Sequence, residues 1–148
     1  MTHAAGPAGP SGAPTVRIAH GGRRSTKPWQ ILSAIALLAM GGIHLWLVFN
    51  GTGGVLGNLF ILNAIGALVL AVAVVVTRGE LLAISVVLGL LFLAGTLAAL
   101  VLALTVGLFG IRSSLDYDLA PTTLVVESIG TLVLLVTTVL VLRQRRRV

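Results

Sequence analysis

The sequence predicts an all-α fold: a four-helix transmembrane bundle, N-in and C-in, with short hairpin loops and a disordered N-terminal tail. Three observations carry that prediction. Of 148 residues, 57% are hydrophobic and only 9% are charged, against roughly 25% charged in ordinary soluble domains. Four apolar segments, at 28–50, 55–77, 81–109 and 121–142, each meet the roughly 20 residues that a helix needs to cross a bilayer. The basic residues gather at the segment ends: four of the ten Lys/Arg lie in the N-terminal tail and four in the last six residues.

Residues 1–27 (MTHAAGPAGPSGAPTVRIAHGGRRSTK) are rich in Gly, Pro, Ala and Ser and have almost nothing to bury, so they are expected to stay disordered on the cytoplasmic side. Arg23 and Arg24 precede an apolar run longer than a signal peptide's h-region, and no small-residue cleavage site closes that run. The first segment is therefore expected to remain as an anchor. The connections are short: GTGG at 51–54, RGE at 78–80 and GIRSSLDYDLA at 110–120. The GTGGVLG stretch misses the spacing of a phosphate-binding loop and reads as a tight helical hairpin. Pro121 suits the first turn of the fourth helix, where its missing N–H costs nothing. Residues 143–148 form a basic cytoplasmic tail.

Orientation follows from charge. Arg17, Arg23, Arg24, Lys27, Arg78, Arg143, Arg145, Arg146 and Arg147 fall on one side of a four-span topology, and only Arg112 on the other. The positive-inside rule then predicts cytoplasmic termini in a bacterial plasma membrane. The net charge of +6 is thus a membrane signature, and no basic patch interleaved with aromatics points to nucleic acid. The RQRRR end is expected to grip anionic lipid.

Small residues mark where helices approach in lipid. In the fourth segment Thr123, Glu127, Gly130, Thr131 and Thr138 share a face. In the third, Ser85, Gly89, Phe92, Thr96, Ala99 and Ala103 alternate by four and three, and in the second Asn63 lies with Gly66, Ala67 and Leu70. An imidazole or carboxyl facing lipid is costly, roughly 2.5–3.5 kcal/mol for a central charge. His44, Asn63 and Glu127 are therefore expected to point inward. At about 1.5 Å per residue, His44 and Glu127 lie about 9 Å and Asn63 about 12 Å below the outer surface. With Asn58 and Thr105 a turn nearer that surface, they make a candidate polar pocket, with Asp116, Tyr117 and Asp118 in the loop above it. Similar depth also predicts that His44 and Glu127 interact, directly or through Asn63 or a water.

Each of these residues has a plainer reading. Glu127 serves equally as a neutral, hydrogen-bonded link between helices, and His44 as a bond to a neighbouring helix. Asn63 and Asn58 serve as packing and hairpin residues. No catalytic constellation or metal-ligand spacing stands out, the absence of cysteine excludes thiolate chemistry, and no cofactor is predicted. A two-histidine haem would need a homodimer, since His3 and His20 belong to the tail.

The stretches GGIHLWL, GNLFILNAIGA and GLFGIRSSLD resemble a group of small four-span membrane proteins of actinobacteria over about residues 40–130. The resemblance implies four helices and no particular activity. The function expected is a non-enzymatic accessory subunit or small-ligand binder, acting as a homo-oligomer or within a larger membrane complex. The rivals are a proton-coupled transporter, working as a homodimer with Glu127 as proton carrier, and a redox or quinone-binding subunit using His44.

Overall fold

The computed structural model describes residues 1, 25–107, 112, 114, 115 and 119–146. The tail at 2–24, the loop residues Asp116, Tyr117 and Asp118, and Arg147 lie outside the described residues. Four helices account for nearly all of the rest: α1 (Lys27–Phe49), α2 (Gly54–Val76), α3 (Gly79–Thr105) and α4 (Ala120–Arg145). At 23, 23, 27 and 26 residues, they are about 35–40 Å long, enough for a hydrocarbon core of about 30 Å. Each is long and apolar enough to cross a membrane. The Val-rich sequences of α2 and α4 would be mediocre helices in water. In lipid every backbone polar group must be satisfied internally, and that requirement overrides propensity.

The ends differ from the apolar segments for local reasons. The third segment stays apolar to residue 109, but α3 stops at Thr105. Gly107 takes a φ of +87°, and its N–H turns back onto the Leu102 carbonyl at 2.8 Å, a left-handed stop that capping carbonyls favour. By contrast α4 runs past residue 142 to Arg145, with Arg143 and Arg145 in its last turn. Both are good helix formers, and their charge suits the negative end of the helix dipole. Pro28 and Pro121 lie in the first turns of α1 and α4, where a helix tolerates proline.

The chain runs up and down, and each helix packs on two others: α1 on α2 and α4, α3 on α2 and α4. Leu37, Met40, Val74, Val86, Leu93 and Leu134 fill the centre with no exposed surface. Ile35, Leu38, Val69, Leu91 and Ile129 face outward, fully half exposed or nearly so, the surface lipid covers. Since lipid is as apolar as leucine, cohesion comes from close packing and interhelical polar contacts. The closest approaches are at two glycines. A Cβ on Gly41 would sit 2.9 Å from Ala67 Cβ, and one on Gly130 would run into Leu93 Cδ2 while lying 3.2 Å from Ala36.

Candidate functional site

The site is a polar layer, built by one side chain from each helix. On α1, the buried face runs through Ser33, Leu37, Met40 and Gly41 to His44, which is 7% exposed. Its Nδ1 lies 3.0 Å from the Met40 carbonyl. A carbonyl only accepts, so Nδ1 carries the hydrogen and Nε2 presents a lone pair. The Asn63 amide of α2 donates to that lone pair at 3.2 Å. The Phe60 ring meets the imidazole edge-on, with centroids 4.7 Å apart. His44 is thus a neutral ring with both nitrogens bonded and one edge packed. This pair is closed.

On α4, Glu127 is 1% exposed. Its carboxyl faces the Thr96 side chain of α3, whose hydroxyl donates to the Leu93 carbonyl of its own helix at 2.9 Å. Glu127 Oε2 is buried without a partner, and so is Thr131 Oγ1 one turn along the same helix. Thr131 stands apart from its neighbours. Thr123, Ser128 and Thr137 donate to the carbonyls of Leu119, Leu124 and Val133 at 2.8, 2.7 and 2.8 Å, four residues back in each case. An unpaired buried polar group costs about 1–3 kcal/mol.

Helix register puts the two pairs at one level. Ser33 of α1 bonds Thr137 of α4 at 2.8 Å; ten residues along each antiparallel helix, Ile43 and therefore His44 stand level with Glu127. No hydrogen bond or ion pair joins His44 to Glu127 among the described residues: the ring nitrogens are taken by Met40 and Asn63, and the one ion pair is Arg145–Glu80 at the far end. The structure therefore brings His44 together with Asn63, and Glu127 together with Thr96.

Asn58 and Thr105 stand outside the layer. Both are exposed, and the Thr105 hydroxyl folds back onto the Val101 carbonyl of its own helix at 2.8 Å. Depth alone grouped them with His44 and Glu127; the rotation of α2 and α3 separates them. Asp116, Tyr117 and Asp118 fall outside the described residues. Thr96 and Thr131 join the site instead. Both were visible on small-residue faces, and Thr131 lies four residues from Glu127, the spacing that stacks side chains on one helix face.

At the other end of the bundle the buried hydroxyls are all bonded. Ser33 meets Thr137, Thr138 donates to the Val86 carbonyl at 3.3 Å, and Ser85 lies 3.3 Å from Thr77 Oγ1 and donates to the Leu81 carbonyl. Among the described residues no group of three His, Cys, Asp or Glu side chains could hold a metal ion. No protein-family model, curated protein or solved structure matches the chain. Among the described residues, four helices long and apolar enough to cross a membrane suggest a multi-pass membrane protein.

Proposed function

We propose that the protein is a non-enzymatic component of a bacterial plasma membrane, an accessory subunit or small-ligand binder whose binding centre is Glu127. The observation that carries this reading is the buried, unpartnered Glu127 Oε2. An intramembrane carboxyl is a functional hypothesis by default, and this one is not consumed by the packing around it. The resemblance to small four-span proteins of actinobacteria is part of the reading. So is a topology with both termini cytoplasmic: Lys27, Arg78, Arg143, Arg145 and Arg146 sit at helix ends on one side of the bundle, and Arg112 on the other. The basic side is read as the one that grips anionic lipid, and a homo-oligomer or larger complex as the working form.

Two rivals are less well supported. A transporter needs a polar route across the bundle, yet the buried hydroxyls of the opposite half are all engaged in bonds. A metal or haem ligand at His44 needs the Nε2 lone pair that already accepts from Asn63. Co-purification tests the preferred reading. Wild type and Glu127→Gln, extracted from the native membrane in mild detergent, are compared by mass spectrometry for associated proteins and small molecules. The expected result is a partner or ligand retained by wild type and lost from the variant. The same set of molecules with both would overturn the reading.

A further inference from the structure

The two hairpins repeat one another. From Asn63 the α2 sequence runs NAIGALVLAVAVV; from Glu127, 64 positions on, α4 runs ESIGTLVLLVTTV, identical at seven of thirteen positions. At an offset of 52, α3 matches α1 at Ser33/Ser85, Leu38/Leu90 and Leu45/Leu97, and sets Thr96 against His44. The same two offsets carry the His44–Asn63 pair onto the Thr96–Glu127 pair. They set Leu93 against Gly41 and Gly130 against Gly66; Leu93 meets Gly130 across the α3–α4 seam, whereas Gly41 meets Ala64 and Ala67 across the α1–α2 seam. The polar layer is one position of a hairpin, used twice.

The copies differ within that layer at two informative places. Asn63 becomes Glu127, and Ala67, 1% exposed against Gly41, becomes Thr131. Those two changes introduce the two oxygens that lack partners, Glu127 Oε2 and Thr131 Oγ1. In the first copy the amide and imidazole satisfy each other. In the second, a carboxyl oxygen and a hydroxyl one helical turn apart both stand without a partner.

We propose that the second hairpin holds a diverged, open copy of the His44–Asn63 pair, a site in which Glu127 and Thr131 take up one water between Oε2 and Oγ1. The water donates to Glu127 Oε2 and accepts the hydrogen that the Thr131 hydroxyl itself carries, and so closes both groups at once. The surrounding helices supply no competing charge. α1 presents His44, already bonded on both nitrogens, while α2 and α3 present no titratable side chain at this level. Lys27, Arg78, Glu80, Arg143, Arg145 and Arg146 lie at the opposite end of the bundle, and Arg112 lies beyond α3. The proposal rests on Glu127 being the binding centre of the layer and adds what it binds and with which second residue.

Infrared difference spectroscopy of the full chain in lipid tests it, with Glu127→Gln, Thr131→Val and His44→Phe compared with wild type across a pH series. The bound water gives a water O–H band beside the Glu127 carboxyl bands, and that water band is lost in Glu127→Gln and in Thr131→Val. His44→Phe leaves it in place. No water band, a Thr131→Val spectrum that matches wild type, or a His44→Phe change equal to that of Thr131→Val would overturn the proposal. If the infrared result holds while Glu127→Gln co-purifies the wild-type set of molecules, the site stands and the accessory-subunit reading falls. A changed set of molecules with unchanged spectra means the reverse.

Discussion

Removing the hydrogen bond between His44 and Asn63 is the sharpest probe of how the layer is wired. His44→Phe keeps a ring against the Phe60 edge, 4.7 Å away between centroids, and deletes both nitrogens. Asn63→Leu deletes the amide at similar volume. The two side chains share one bond of 3.2 Å, and intramembrane hydrogen bonds measured by double-mutant cycles average about 0.6 kcal/mol, with a ceiling near 1.7. The double variant is therefore expected to be less destabilised than the two singles together by about 0.6 kcal/mol. The same cycle run on His44→Phe with Glu127→Gln should add within about 0.3–0.5 kcal/mol, because His44 and Glu127 share no bond and no bonding partner among the described residues. Equilibrium unfolding in mixed micelles, followed by circular dichroism, measures all the variants. Coupling between His44 and Glu127 as large as that between His44 and Asn63 would refute the wiring.

Packing makes its own predictions. Gly130→Ala places a methyl against Leu93, which has no exposed surface; a loss of about 1–3 kcal/mol is expected, partly recovered when Leu93→Ala is added, by the same unfolding measurement. Ser33→Ala removes the 2.8 Å bond to Thr137 and should cost about 0.6 kcal/mol, with Thr137 still bonded to the Val133 carbonyl. Reporter fusions after residues 53 and 115 should read extracytoplasmic, and fusions after residue 79 and at the C-terminus cytoplasmic. A cytoplasmic signal at residue 53 would overturn the topology.

The four spans were legible because length and apolarity alone define them, and α1 and α2 begin and end within a residue of the apolar segments. The end of α3 was not, since a hydropathy pattern continues through Gly107 while the backbone turns left-handed there. For the site, the burial of His44 and Glu127, with Asn63 half-buried beside them, followed from the cost of turning polar groups to lipid. Their pairing did not follow, because depth fixes level and leaves helix rotation open. Rotation turns Asn58 and Thr105 outward and aims Glu127 at Thr96 instead of His44. One legible signal went beyond depth: the 64-residue offset between NAIGALVL and ESIGTLVL aligns Glu127 with Asn63 and Thr131 with Ala67, the positions where the hairpins diverge.

The central claim is that Glu127 is kept for binding and not for holding the helices together. Glu127→Met separates the two roles in a single stability measurement on the isolated protein. Methionine fills nearly the same volume and has no oxygen to leave unpaired. The contact with Thr96 is worth at most about 0.6 kcal/mol, whereas burying a carboxyl oxygen that no protein group bonds costs about 1–3 kcal/mol. The account predicts a variant as stable as wild type or more stable, by up to about 2 kcal/mol. A variant less stable than wild type by 1 kcal/mol or so, on the scale of a working intramembrane hydrogen bond, would show that Glu127 is structural glue and contradict the account.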